Sequence, residues 1–153
     1  MKRLIAVFFA VLVAAGCTDN AATPKFKLVD VTGASFGRDF ALTDHNGQRR
    51  TLADFKGKVV TVFFGFTHCP DVCPTTLGEM AVVMKELGAD AARVQVLFVT
   101  VDPERDTSAV LQRYVPAFHP TFLGMTGNAE DIARTAKEFK IFYQKQVLPG
   151  GDY

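Results

Sequence analysis

Two cysteines four residues apart carry the clearest chemical signal in this chain. Cys69 and Cys73 lie in the segment Phe-Gly-Phe-Thr-His-Cys-Pro-Asp-Val-Cys-Pro, residues 64–74, between an apolar strand-like run and a helix-like run. Residues at i and i+4 share one helix face with Cβ atoms about 5–6 Å apart. That spacing suits chelation of one soft metal ion or, after small adjustments, a disulfide. The N–H groups and dipole of a helix N-terminus favour thiolate, which binds metal and attacks disulfides.

The cysteine pair has three interpretations. Inert structural cysteines are disfavoured by Pro70, Asp71 and Pro74, which indicate an exposed strand-to-helix turn. A redox dithiol of the thioredoxin type usually has two intervening residues, whereas this pair has three. A metal site is favoured because two thiolates select soft ions such as Cu(I), although a three-coordinate site needs one further donor. The residues alone favour the metal site and leave the redox dithiol open.

Residues 1–17 are predicted to be a targeting signal rather than part of the fold. A basic start precedes an apolar run from Leu4 to Ala15, and small residues precede Cys17. The run is shorter than the roughly 20 residues of a spanning helix and fits a secretory signal. The Ala-Ala-Gly-Cys ending resembles a bacterial lipoprotein signal, so lipidation of Cys17 is expected, with ordinary cleavage or an uncleaved anchor as alternatives. Residues 18–35 are expected to form a tether and lead-in.

Composition limits the classes of function. Without its first 16 residues the chain has 137, enough for one domain with a core. That part carries 15 basic and 16 acidic side chains and no basic cluster, which gives no reason to expect a nucleic-acid partner. If Cys17 is lipidated, the three cysteines resolve into one remaining pair. An oxidising compartment then permits both disulfide and metal chemistry.

Strand-like and helix-like runs alternate around the cysteines. In order, the sequence predicts a hairpin around Asn46-Gly47 in residues 40–52, a strand over 59–66, a helix through Leu77 to Gly88, a strand over 94–101, a helix over 110–118 capped by Thr107 or Ser108, a short strand over 121–125, a helix after Asn128, and the start of a strand over 141–145. This order predicts an α/β, thioredoxin-like fold with a largely parallel central sheet and an N-terminal β-hairpin.

Two further expectations concern this sheet. Residues 59–66 lack polar alternation beyond Thr61, so they are predicted to form a central strand covered on both faces. Residues 148–153 have a loop-like composition, and no closing antiparallel pair or final helix follows. The domain at residues 36–153 is therefore expected to lack its closing C-terminal elements.

Three motifs in succession resemble the signatures of the Sco family, also called SenC/PrrC. They are Phe-Thr-His-Cys-Pro-Asp-Val-Cys-Pro at 66–74, Val-Asp-Pro-Glu-Arg-Asp-Thr at 101–107 and Phe-Leu-Gly-Met-Thr-Gly at 122–127. The similarity covers roughly Phe36 to Tyr153. It implies a thioredoxin-like, membrane-attached protein facing the periplasm that binds a copper ion. It also implies a partner, the cytochrome c oxidase subunit that carries the dinuclear copper centre.

The resemblance assigns roles by position. Cys69 and Cys73 match the two copper-binding cysteines of the family. The third ligand in the family is a histidine in an Asp-His motif after a Gly-Asp-Tyr-like segment. Here Gly151-Asp152-Tyr153 ends the sequence, so that histidine is expected beyond Tyr153. The leading hypothesis is a metallochaperone that holds Cu(I) and is not a turnover enzyme. The alternative is a thiol–disulfide reductase that keeps the target's cysteines reduced.

The three histidines are weaker candidates. His68 adjoins Cys69, but neighbouring side chains in an extended or turn segment point apart, so it is expected to tune the thiol environment or to be solvated. His45 at the hairpin tip and His119 before Pro120 are expected to be surface residues.

Two methionines and one loop complete the candidates. Met80 and Met84 share helical spacing with Leu77 and Leu87, which predicts core packing rather than thioether ligation. The loop at 102–107 either ends a strand and caps a helix or, at the carboxyl end of a strand, faces the site. In the second case Asp102 would orient a thiol-side group or a partner.

Overall fold

The computed structural model describes residues 26–146. The chain divides into two compact units, residues 1–33 and 34–153, and all the helices and strands of the described residues belong to the second. In the first unit, Asp30 accepts hydrogen bonds from the backbone and side chain of Thr32. The predicted signal, the lipidated Cys17 and the Gly-Asp-Tyr segment lie outside the described residues. Within residues 26–146, no helix has the length and apolar character needed to cross a membrane.

The second unit contains one mixed sheet of five strands. The strands are β1 at Leu42–Asp44, β2 at Arg49–Arg50, β3 at Val59–Gly65, β4 at Val94–Thr100 and β5 at Leu123–Thr126. Their order across the sheet is β2-β1-β5-β4-β3. Strands β3, β4 and β5 are parallel, whereas β1 is antiparallel to both β2 and β5. The predicted α/β sheet with an N-terminal hairpin is confirmed.

Strand β4, not β3, is the buried centre of the described sheet. It pairs with β3 on one side and β5 on the other, and six of its seven residues are buried. Among residues 26–146, β3 pairs only with β4, and most of its side chains are half-buried. The prediction of a doubly covered central strand over 59–66 was therefore wrong for this part of the chain. An apolar run reports burial propensity but not which neighbours a strand acquires.

Three helices flank the sheet: α1 at Val72–Leu87, α2 at Ser108–Tyr114 and α3 at Ala129–Glu138. Helix α1 ends at Leu87, and the next residue, Gly88, has a φ of +54°, a conformation that favours glycine. The side chains of Thr107 and Asn128 accept the N–H groups of Val110 and Asp131 and so cap α2 and α3. These local signals account for the agreement between predicted and observed helices.

The hydrophobic core lies on both faces of the sheet, because successive side chains of a strand point to opposite sides. Val96 and Phe98 of β4 join one cluster, which includes Cys73. Leu97 and Val99 join the other cluster. One core therefore supports the cysteine segment directly, and the other packs α3 against the far face.

The two ends of the domain show one confirmed prediction and one error. The hairpin turns at Gly47 with φ of +82°, and buried Asp44 accepts the N–H groups of Asn46 and Gln48. Residues 141–146, predicted to begin a strand, have no regular secondary structure. Lys140, just beyond α3, has a positive φ of +57°, and the short β-like run that follows finds no partner strand in the described chain.

Candidate dithiol site

The two cysteines occupy different local structures. Helix α1 begins at Val72, so Cys73 lies in its first turn while Cys69 lies in the preceding turn. The N–H of Cys69 donates to the carbonyl of Phe66 at 3.2 Å. The prediction that both cysteines share a helix face was therefore wrong. The Cys69 sulfur instead accepts the N–H of Cys73 at 3.4 Å, which brings it onto the N-terminus of α1.

The two thiols also differ in exposure. Cys73 is only 5% exposed and packs in the core cluster with Leu77 and Phe98. Cys69 is half-buried at the edge of that cluster, and neither thiol is in a disulfide. The pair thus presents one accessible sulfur with a second directly behind it. A small soft ion or the sulfur of another protein meets Cys69 first.

Electrostatics separates the two thiols. Burial opposes ionisation of Cys69, but hydrogen bonds from the N–H groups of Asp71, Val72 and Cys73 and from the Cys73 thiol outweigh it and lower the pKa of Cys69. The pKa of Cys73 is raised to about 11, chiefly by burial and also by its hydrogen bond to Cys69 and the negative charges of Cys69 and Asp106. The predicted helix-terminus effect therefore acts on Cys69, whose thiol loses its proton more readily than that of Cys73.

Gly65, the last residue of β3, makes room for the buried sulfur. A Cβ atom at this position would lie 2.8 Å from the Cys73 sulfur and 2.9 Å from the ring of Phe98. Both separations are shorter than real Cβ contacts. Gly65 was not among the residues predicted from the sequence. The available signal was a glycine inside a strand pattern, which marks a close approach of other atoms.

The loop after β4 reaches the cysteine segment through Asp106. Asp102, the residue that would orient a thiol-side group if the loop faced the site, forms an ion pair with Arg105. Asp106 accepts hydrogen bonds from Thr67, two residues before Cys69. Both interpretations of this loop therefore apply in part: Thr107 caps α2, and Asp106 contacts the segment before Cys69. No periodicity distinguishes the two aspartates, because the choice depends on how the loop folds.

Tyr114 is a second residue that the sequence did not indicate. Burial raises the pKa of Tyr114, with further contributions from the charges of Cys73, Cys69 and Asp106. Its hydroxyl is buried and has no hydrogen-bond partner among the described residues. Its ring packs against Phe98 in the core.

The histidines and methionines take other roles. His68 is exposed, and its Nδ1 lies 3.3 Å from the Thr67 hydroxyl. His45 was predicted to be a surface residue, but it is only 7% exposed, and its Nδ1 accepts the N–H of Gly124 at 3.0 Å. The hairpin folds onto β5, which buries its tip. Burial lowers the pKa of His45. Half-buried His119 bonds to the Thr121 hydroxyl.

The methionine prediction is confirmed. Met84 is 4% exposed within the core cluster, and Met80 packs against that cluster. Within residues 26–146, no group of three or more His, Cys, Asp or Glu side chains is arranged to hold a metal ion. The cysteine pair itself offers two soft sulfur ligands suited to a thiophilic ion or to disulfide exchange.

A cysteine pair at the carboxyl end of a parallel strand, opening onto a helix N-terminus, defines a thioredoxin-like dithiol protein. A family model described as SCO1/SenC matches residues 23–153. The chain belongs to the SCO1/SenC family.

Related proteins agree with this assignment. The mitochondrial SCO2 homologue of Bos taurus is 50% identical over 107 residues, which cover 69% of this chain and 40% of that protein. The solved structure of Bradyrhizobium japonicum ScoI with copper bound is 42% identical, with a TM-score of 0.73, over 77% of this chain and 75% of that one. A structure of BsSco, described as a cytochrome c oxidase assembly protein with a disulfide switch, is 27% identical, with a TM-score of 0.60, over 77% and 70% of the two chains. The chain thus spans less than half of its mitochondrial relative.

Proposed function

We propose that this protein is a metallochaperone that holds one Cu(I) ion between the thiolates of Cys69 and Cys73. It delivers the ion during assembly of the dinuclear copper centre of cytochrome c oxidase. The observation that carries the proposal is the placement of two sulfur atoms together, one accessible and one behind it, at the N-terminus of α1. Relatives described as copper-bound or as oxidase assembly proteins support the choice of ion and partner.

The geometry supports stepwise loading and transfer. Cu(I) first binds the Cys69 thiolate, whose pKa is lowered by the N–H groups of the α1 N-terminus despite burial. Binding of Cys73 then releases its proton, because the ion replaces the proton as the positive partner of the sulfur. In transfer, an incoming thiolate displaces the ligands in turn, and Cys69 is the sulfur that it can reach.

Copper binding is tested by titrating the reduced full chain with Cu(I) against a chromophoric chelator. Cys69→Ala and Cys73→Ala are compared in a Cys17→Ala background, so that the third cysteine does not contribute. Loss of stoichiometric binding in both variants, with the parent intact, is expected. Unchanged Cu(I) stoichiometry and affinity in both the Cys69→Ala and the Cys73→Ala variants would refute the proposed metal-binding role. The His68→Gln variant is a matched control, since this exposed neighbour is not assigned as a ligand.

A thiol–disulfide reductase is the second candidate, and the opposed pKa shifts of the two thiols favour it. The Cys69 thiolate attacks a target disulfide, forms a mixed disulfide and releases one target thiolate. Cys73 then loses its proton and attacks the Cys69 sulfur, which releases the second target thiolate and leaves a Cys69–Cys73 disulfide. The target gains two electrons and the protein loses two. Copper-free reduction of a disulfide peptide by the reduced protein, abolished by either substitution, would favour this activity.

The proposed location is the periplasmic side of a bacterial membrane. The export signal at residues 1–17 and the lipoprotein-like sequence before Cys17 support it. An N-terminal lipid or an uncleaved signal then anchors the protein to the membrane. Labelled fatty acid incorporated by the parent chain, but not by the Cys17→Ser variant, would support lipidation. Membrane association without label would favour the uncleaved anchor.

A further inference from the structure

Asp106 is the most unusual charged residue near the cysteine pair. It is fully buried, and among residues 26–146 no lysine, arginine or histidine forms an ion pair with it. A buried charge without a counter-ion is costly unless hydrogen bonds stabilise it. The groups that donate hydrogen bonds to this carboxylate therefore indicate which parts of the structure it holds in place.

Three donors reach the carboxylate from the ends of two strands. Thr67, just beyond β3, donates its backbone N–H to Oδ2 at 3.0 Å and its hydroxyl to Oδ1 at 2.5 Å. Thr100, the last residue of β4, donates its hydroxyl to Oδ2 at 2.6 Å. Two of the three bonds thus fasten the segment that leads into Cys69, and the third ties the carboxylate to the sheet.

The backbone of Asp106 is held as well. Its N–H donates to the carbonyl of Asp102 at 2.9 Å, and its own carbonyl accepts the hydroxyl of Thr126, the last residue of β5, at 3.3 Å. These backbone bonds fix Asp106 to the carboxyl ends of β4 and β5 independently of its contact with Thr67. A rigid anchor of this kind limits how far the turn carrying Cys69 can move relative to Cys73.

We infer that Asp106 is a positioning residue: through Thr67 it holds the turn that carries Cys69 in register with Cys73. This role rests on the proposed use of the two thiols as a pair. This positioning role can be distinguished from a general contribution to fold stability, because the carboxylate binds two threonines in different parts of the structure. Thr67 connects it to the cysteine turn, whereas Thr100 connects it to the sheet.

The test compares Thr67→Val with Thr100→Val. Valine has nearly the volume of threonine and removes only the hydroxyl, so the backbone N–H at position 67 is still available to the carboxylate. Thr100→Val is the stringent control, because its hydroxyl also accepts the N–H of Asp102 and its loss costs at least as much stability. Thr67→Ser restores the hydroxyl. His68→Gln controls for the contact between the Thr67 hydroxyl and the imidazole.

Two readouts are measured on the full-length chain in the Cys17→Ala background, so that only Cys69 and Cys73 supply thiols. The first is Cu(I) affinity by chelator competition. The second needs no metal: the reduced protein is equilibrated with glutathione disulfide, which oxidises Cys69 and Cys73 to one disulfide and yields two reduced glutathiones. The equilibrium constant reports how well the two sulfurs are held together. Urea unfolding of each variant gives the stability separately.

Hydrogen bonds to charged groups are strong enough that Thr67→Val should lower both the Cu(I) affinity and the equilibrium constant for oxidation by glutathione disulfide by about tenfold. Thr100→Val and His68→Gln should shift them less than about threefold, a change below about 0.7 kcal/mol, and Thr67→Ser should recover the parent values. Equal shifts for Thr67→Val and Thr100→Val, or no shift for Thr67→Val, would overturn the inference. Asp106→Ala should exceed Thr67→Val, but the threonine comparison stands even if that variant does not fold. If the parent fails to bind Cu(I), the proposed function falls and the glutathione equilibrium still decides the positioning role.

Discussion

Gly65→Ala provides a sharp test of how the buried thiol is accommodated. The added Cβ atom would lie 2.8 Å from the Cys73 sulfur, 2.9 Å from the Phe98 ring and 3.3 Å from the Phe63 ring. Favourable carbon contacts lie near about 3.5–4.0 Å, so the two closest neighbours must each retreat by several tenths of an ångström. Phe98 is fully buried in a packed core and has little room to move.

The expected cost is that of overpacking, about 1–3 kcal/mol of unfolding free energy. The matched control is Gly78→Ala, farther along α1 than Cys73, where a Cβ atom meets nothing within 4 Å. There the same substitution should stabilise the protein by about 0.5–1 kcal/mol, because alanine favours the helix over glycine. Urea unfolding of the reduced proteins measures both changes, which should have opposite signs.

A double-mutant cycle assigns the clash to the sulfur. In a Cys73→Ala background the sulfur contact is absent, so Gly65→Ala should cost less than in the parent, by about 0.5 kcal/mol or more. Displacement of the sulfur should also weaken Cu(I) binding, which Gly78→Ala should leave unchanged. An equal cost of Gly65→Ala in both backgrounds, or no cost in the parent, would refute the packing argument.

Three other predictions follow from the described contacts. The pKa of Cys69 is lowered, whereas burial raises the pKa of Cys73 to about 11. An alkylating reagent should therefore modify Cys69 first and reach Cys73 only in strongly alkaline solution or on unfolding, as followed by peptide mass spectrometry. Equal alkylation rates of the two thiols at neutral pH would contradict this. Burial opposes ionisation of Asp44, but the N–H groups of the turn and the Arg50 side chain outweigh it and lower the pKa of Asp44. The ionised Asp44 therefore stabilises the folded protein at pH values above its unfolded pKa of about 3.9. This stabilisation is lost as the pH falls through the pKa of Asp44 in the folded state. Asp44→Asn should therefore cost about 1–3 kcal/mol at neutral pH and progressively less in acid, whereas a pH-independent loss in urea unfolding would contradict the linkage. Asn128→Ala should cost about 1 kcal/mol in the same assay, and Asn128→Asp, which keeps a capping oxygen, should not.

Much of the fold could be predicted from short-range signals in the sequence. Several of these signals depend only on residues close together in the chain and can therefore be identified from the sequence. They are the turn at Asn46-Gly47, the helix caps at Thr107 and Asn128, and the helix stop at Gly88. The spacing of Cys69 and Cys73 between a strand and a helix belongs to the same class. The parallel pairing of β3, β4 and β5 also followed, because strands joined through helices have few allowed topologies.

Other features required contacts between distant parts of the chain. Thr67 and Asp106 are 39 residues apart, and nothing local distinguishes Asp106 from Asp102 as the carboxylate that reaches the cysteine turn. His45 is buried because the hairpin packs against Gly124, 79 residues away. The edge position of β3 in the described sheet likewise depends on which strands pair.

The order of the residues was enough to establish that two thiols stand at a strand-to-helix turn in an α/β domain. It was not enough to establish that Cys69 is the accessible, acidified thiol and Cys73 the buried one, which the folded arrangement alone reveals. The reason is physical: thiol acidity depends on burial and on N–H groups and charges brought together by folding. Those neighbours, and the space that Gly65 leaves for a sulfur atom, exist only once the sheet, α1 and the loop after β4 have assembled.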